Sequence, residues 1–238
     1  MKYQEHFFFW IGLMLFKRYH FFCLSLFIST TVLAENQHRL LPVDEANRDL
    51  SFVEFRQQLK TIIQNRDPEG FLKFVSPQVS GSKDKRGISH FVKIWEPQAN
   101  DSELWPTMEN IVNMGGGFVR SERGVTFCAP YIFTNFPDDL DIYGHGVIIG
   151  DKVPLKSAPL KTSQNLASLS YDLLKVEDWR SVQEKSANQE IRWIKVSTMD
   201  GRKGYVDKKM VRSPTDYAAC FLFTPKAGWK IVSLVSNE

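Results

Sequence analysis

The chain has 238 residues, 43% of them hydrophobic and 24% charged, with a formal net charge of +3. That balance excludes an intrinsically disordered chain, and the length admits one large domain or two small ones. A charge so near neutrality also argues against a nucleic-acid partner, which draws on a concentrated positive field.

After MKYQEH the chain runs through FFFWIGLMLF, KRYH and FFCLSLFISTTVLA, with no acidic residue between Glu5 and Glu35. Neither apolar run reaches the roughly 20 residues of a membrane-spanning helix, and Lys17-Arg18 would sit badly inside a continuous span. A secretory signal over residues 1–34 fits better: a basic start, an apolar stretch from Phe21 to Thr31, and cleavage between Ala34 and Glu35. Met14 gives a start with the usual layout, and an uncleaved anchor is the competing reading. Cleavage removes Lys2, Lys17, Arg18 and Glu5, which lowers the net charge to +1. The remaining basic clusters, KDKR at 83–86 and Lys208-Lys209, are mixed with acids and read as solvated faces. The protein is expected to be periplasmic or secreted, touching membrane only through the signal segment.

Residues 35–49 read as a polar leader without regular structure, and residues 50–145 as a helix-rich α+β domain. Ser51 and Glu54 form an S-x-x-E capping box, with Leu50 placed as a hydrophobic staple. Phe52, Phe55, Leu59, Ile62 and Ile63 then fall at helical spacing, which predicts a helix over 52–65. Asp67-Pro68 starts a short helix that ends before Pro77. After a loop over 80–87, Ile88, Phe91, Ile94 and Trp95 predict a helix stopped by Pro97. Another follows from Trp105 to Gly115-Gly116-Gly117. The glycines invite a phosphate-loop reading, but such loops follow a strand and open a helix, so a helix end is the better account. From Phe118 the runs GFVRS, GVTFCAPYIF and VIIG read as strands, the last set off by the loop FPDDLDIYGHG.

Residues 146–212 contain five strand-like runs: VIIG, VPLKSAP, ASLSYDLLKVE, RWIKVST and KGYVDKKMV. Five short strands in about 65 residues suggest a small closed barrel, because closure removes exposed edges. Its core would hold Val153, Leu169, Leu174, Val176, Trp193, Val196 and Val206, and Asp200-Gly201 would supply a tight turn. The final part, WIKVSTMDGRKGYVDKKMV, resembles the bacterial Src-homology-3 domain family through Trp193, Val196, Asp200, Gly201, Gly204, Tyr205, Val206 and Val211. The likeness covers about 65 residues. It departs from the family pattern at Lys156-Ser157-Ala158-Pro159, at Ser170-Tyr171-Asp172 and in the long polar segment WRSVQEKSANQE. The resemblance implies an SH3-like barrel that targets peptidoglycan or binds another protein.

Residues 213–238 read as two strands, 217–223 and 229–235. A barrel already closed at Val211 has no place for them, so the hairpin is expected to return to the first domain's strands, leaving the barrel as an insertion. The helices-then-hairpin order also resembles the ketosteroid-isomerase-like cone fold, whose catalytic residues do not carry over to this chain. Cys128 and Cys220 lie in apolar segments, where they either pair in an oxidising compartment or remain buried thiols.

No reactive constellation emerges. G-x-S-x-G is missing, Cys128 lies in a strand, and His145 stands between two glycines. His38, His90 and His145 are scattered singly, and Asp138, Asp139 and Asp141 lack calcium-loop spacing. No catalytic residue, metal or cofactor is therefore expected. The candidate binding residues are the aromatics Tyr171, Trp179 and Tyr205, with Trp179 the one expected either to meet a partner or to fold back on its own barrel. The favoured function is a non-catalytic exported protein that binds peptidoglycan or an envelope protein through the barrel. The alternative is a small-ligand binder or enzyme with an apolar pocket in the helix-rich domain, lined by Phe71, Trp95 and Trp105. The oligomeric state is not legible.

Overall fold

The computed structural model describes residues 38–236 apart from 82–84, 122–123 and 187–188. The signal segment and its Ala34–Glu35 cleavage position lie outside the described residues. The described chain is mixed α+β and built on two sheets.

Four helices lie before the first antiparallel strands. Helix α1 (Leu50–Gln64) buries Phe52, Phe55, Leu59 and Ile63 at the expected spacing. Its cap is Asp49 and not Ser51: Oδ1 accepts from Ser51 N at 2.9 Å and from Phe52 N at 3.2 Å. A carboxylate there satisfies amides the first turn leaves open, and its charge suits the positive end of the helix. Helix α2 (Pro68–Phe74) starts as expected, with Asp67 Oδ1 accepting from Gly70 N at 3.0 Å. Helix α3 (Ile88–Trp95) ends at Glu96, which adopts the left-handed conformation before Pro97. Helix α4 (Leu104–Asn113) buries Trp105, Met108, Ile111 and Val112.

The first sheet contains β1 (Val75–Ser80), β2 (Gly117–Ser121), β3 (Gly124–Ala129), β11 (Ala218–Thr224) and β12 (Gly228–Val235) in the order β1-β12-β11-β3-β2. The C-terminal hairpin pairs antiparallel with β3, while β1 pairs parallel with β12. Strand β1 was not expected because it contains Pro77. It is an edge strand, where a missing amide can be tolerated. Phe52 sits at the centre of the core between α1 and this sheet. Its ring lies 4.2 Å from Phe127, 4.8 Å from Trp229 and 5.7 Å from Phe221, centroid to centroid. Cys128 and Cys220 face each other across β3 and β11 and form a disulfide.

After β3 the chain makes a short helix, α5 (Tyr131–Asn135), where the sequence suggested more strand, and then enters the second sheet. This is a seven-stranded curled sheet of order β10-β4-β7-β8-β9-β5-β6. Its strands are β4 (His145–Ile148), β5 (Val153–Lys156), β6 (Asn165–Leu169), β7 (Leu173–Ser186), β8 (Gln189–Thr198), β9 (Lys203–Asp207) and β10 (Val211–Arg212). ASLSYDLLKVE divides into β6 and β7 around Ser170-Tyr171-Asp172. The segment expected to be a polar excursion is instead a long β7–β8 hairpin with bulges between Val176 and Val182. A 3₁₀ turn, Lys208–Met210, joins β9 to β10, with Asp207 Oδ1 accepting from Lys209 N at 3.0 Å. Val153, Leu155, Leu169, Leu174, Val176, Ile194, Val196 and Val206 fill the concave side.

A third cluster joins the two sheets. Tyr131, Ile132, Val147 and Leu173 are buried together against Leu40, Val43, Met114 and Ile149. The leader that was expected to lack regular structure forms a strap here. Leu40 N donates to Tyr171 O at one end, and Gly116 N donates to Val43 O at the other.

Candidate functional site

Alternation along the strands of the second sheet decides which residues it turns outward. In VPLK, Val153 and Leu155 point into the core, so Pro154 and Lys156 face out. In β8, Ile194 and Val196 belong to the core, which puts Trp193 on the outer face. Trp193 is opposite Asp207, and Tyr205 is opposite both Lys156 and Lys195, so these side chains share that face. The sheet thus turns a tryptophan, a tyrosine, a proline and several charges outward.

Trp193 is nonetheless only 3% exposed. The loop between β5 and β6 folds over it, held by a small set of polar contacts. Lys156 Nζ donates to Lys161 O at 2.6 Å and Ser163 O at 2.9 Å. Glu184, on the β7–β8 hairpin, accepts from Trp193 Nε1 at 2.8 Å and from Lys161 N at 2.9 Å. One carboxylate therefore fixes the indole and the overlying loop together. Gly204 makes the arrangement possible: a Cβ there would lie 2.6 Å from Lys156 O, so only glycine lets β9 approach β5 this closely.

Between the β5–β6 loop and the long hairpin runs a trough of about 460 Å³. Trp193 lies at its base, Pro154, Ile191 and Met210 give it apolar surface, and Asp151, Asp207 and three lysines bring both signs of charge to its lining. Concave, mostly apolar surface with a few polar groups at its edge is the usual form of a ligand site. Tyr205 lies one step along the same face of β9 from the lining residue Asp207. The sequence pattern does not reveal the trough, because Trp193 reads there as barrel core, whereas it lies outside that cluster. The V-P-L-K alternation was the available signal.

The three candidate aromatics do not converge. Tyr171 occupies the turn between β6 and β7 with φ of 59°, and borders a cavity of about 290 Å³ beside the strap. Tyr131 borders the same cavity. Its buried hydroxyl has no hydrogen-bond partner among the described residues, and burial pushes its pKa up to about 12. Trp179 folds back on the sheet: Nε1 donates to Tyr143 O at 2.8 Å, and the ring rests against Gly146. Together with Tyr143 it borders a third cavity of about 390 Å³.

Phe71, Trp95 and Trp105 are buried in the first core, with Phe71 edge-on to Trp105 at 5.6 Å; none of them lines these three cavities. Cys128 is disulfide-bonded and offers no thiolate. Asp141 accepts from Tyr143 N at 3.1 Å and Gly144 N at 2.8 Å, so it shapes its own loop. Among the described residues no three His, Cys, Asp or Glu side chains are grouped to hold a metal ion, and no helix is long and apolar enough to cross a membrane.

No known protein family matches the chain, and no curated protein matches it. A solved structure, the S. rosetta CaMKII hub, aligns with 82% of this chain and 97% of its own at 10% identity. The TM-score is 0.29, too low to carry an argument about fold or function.

Proposed function

We propose that the second sheet is an SH3-like binding module of a non-catalytic exported protein, and that it takes a short extended peptide in the trough over Trp193. Two features support the SH3-like reading: a 3₁₀ turn precedes the last short strand, and that strand returns to pair with β4. The observation that carries the binding reading is the apolar trough itself, walled by Pro154, Ile191 and Met210 between two hairpins. Peptides bind such troughs through apolar side chains, and because Lys152, Lys156 and Lys161 outnumber Asp151 and Asp207 in the lining, the slight positive excess favours one that carries carboxylates. The acidic stem peptides of peptidoglycan have that chemistry and would be met outside the cytoplasm.

The test is co-sedimentation of the purified protein with insoluble peptidoglycan sacculi, with and without excess soluble stem peptide. A Pro154→Ala, Lys161→Glu variant serves as the control. Retention that the soluble peptide competes away and the variant lacks is the expected result. Retention indifferent to both would place the contact elsewhere on the protein. No retention at all would remove the wall and leave an extended segment of another exported protein as the occupant.

A further inference from the structure

The third cavity, bounded by Trp179 and Tyr143, lies away from the trough and differs from it in chemistry. Its residues come from three separate segments. Tyr143 stands on the loop that Asp141 shapes, Trp179 on the bulged part of β7, and Lys208, Val211 and Asp216 on the stretch around β10. Trp179 has spent its one polar group on Tyr143 O, so what it can offer a ligand is the apolar face of the indole. The ring can lie close to β4 because Gly146 has no side chain: a Cβ there would come within 3.2 Å of Trp179. Tyr143 is 61% exposed although it is a large aromatic on a loop tied down by hydrogen bonds. Such a residue exposes area at little further cost in ordering.

The polar groups around this aromatic ledge carry both signs. Lys208 supplies a cation on one side. Asp216, which accepts from Ser213 N at 3.0 Å and interacts with the buried Arg212 guanidinium, supplies a carboxylate on another. The Ser213 and Thr215 hydroxyls are 2.8 Å apart and engage each other. The rim thus offers both a donor cation and an acceptor carboxylate beside the exposed aromatic area. It suits a neutral ligand that both donates and accepts hydrogen bonds while presenting an apolar face. A pyranose ring has that combination: its axial C–H bonds form an apolar face, and its hydroxyls project around the edge. We propose that the Trp179–Tyr143 cavity is a carbohydrate subsite that stacks one sugar ring of a glycan on the two aromatics.

The subsite does not depend on the trough and can be tested apart from it. The full chain would be titrated with a peptide-free N-acetylglucosamine tetramer, and separately with a sugar-free stem peptide, by calorimetry and tryptophan fluorescence. The glycan should bind saturably. Tyr143→Ala, which changes only a surface ring, should weaken glycan binding at least tenfold and leave binding of the sugar-free peptide unchanged. Trp179→Phe retains an apolar ring but loses the bond to Tyr143 O, and should weaken it less. Absence of saturable glycan binding by the wild-type chain would overturn the proposal, and so would glycan binding that both variants leave intact. Failure of the peptide arm alone would count against the trough and not against the sugar site.

Discussion

The amide of Leu40 donates to the carbonyl of Tyr171 at 2.8 Å, and two residues on Leu173 donates back to His38 O at the same distance. This pairing fastens the leader to the second sheet, while Gly116 N to Val43 O at 3.0 Å fastens it to the first. Arg56 of α1 locks the middle: one guanidinium nitrogen, Nη1, reaches both Asp44 carboxylate oxygens at 2.8 Å, with the arginine side chain 15% exposed. Asp44→Ala should therefore cost about 1 kcal/mol, at the upper end for a half-exposed pair because the arginine is largely buried and Asp44 also accepts from Ala46 N at 3.2 Å. Its clearer signature is local. Hydrogen exchange should speed up at the Leu40, Gly116 and Leu173 amides while amides in the core of α1 stay protected. Equal protection in both proteins would mean that the strap holds without the ion pair.

The Cys128–Cys220 disulfide joins β3 to β11 across a sequence separation of 92 residues, and the whole second sheet is strung between them. Closing so long a loop restricts the unfolded chain, and a bridge of this kind contributes about 2–4 kcal/mol. Reduction, or the double change Cys128→Ala and Cys220→Ala, should lower the melting temperature by roughly 5–15 °C for a chain of this size. The two treatments should agree, since alanine adds no buried polar atom. A melting temperature that reductant leaves unaltered would show that pairing along β3 and β11 suffices to hold the sheet.

The elements that were legible and those that were not differ in a physical way. Helix α1 was readable because Phe52, Phe55, Leu59 and Ile63 repeat at one face's spacing, and α3 because Pro97 ends it. These signals are local. Strand β1 was hidden because Pro77 argues against a strand unless it lies at an edge, and edge position is set by β12, some 150 residues later. The strap was hidden for a similar reason: its partners, Tyr171 and Gly116, are tertiary. Trp193 shows the limit most plainly. Its burial was legible, but whether it filled the concave core or lay outside beneath the β5–β6 loop depended on Glu184 and Lys156. Each of those residues alone reads as surface charge.

Asp200 offers a pH test of the tight turn between β8 and β9. Its carboxylate accepts from Thr198 Oγ1 and from Arg202 Nε, and the Arg202 hydrogen bond is the main cause holding its pKa down to about 2 from 3.8. A carboxyl whose folded value is depressed favours the fold above its unfolded value, and that contribution is lost as pH falls through the folded one. Asp200→Asn should therefore melt below the wild type at pH 7, and the gap should close between about pH 4 and pH 2. Carbon-detected NMR should follow the wild-type carboxyl titrating near the lower end of that window. A carboxyl that titrates at its ordinary value, or a gap independent of pH, would remove this role from the charge.

Glu184 is the decisive residue for the trough, because a single side chain accepts from both the Trp193 indole and the Lys161 amide. Its pairing partner across the hairpin is Ile191, which forms one of the walls. Glu184→Ala would leave the Trp193 N–H and the Lys161 amide without their acceptor and free the β5–β6 loop from the hairpin. An unpaired donor at a site as buried as Trp193 costs about 1–3 kcal/mol, though the loop can open to let water reach it. The fold should survive, since Ile194, Val196 and Val206 fill the concave side without help from Glu184. Tryptophan emission should shift to longer wavelength, and affinity for any peptide that occupies the trough should fall at least tenfold. Glu184→Gln keeps an acceptor oxygen and should recover most of the native emission and part of the binding. If the alanine variant kept the native emission, the loop would be held by Lys156 alone, and the next substitution to make would be Lys156→Met.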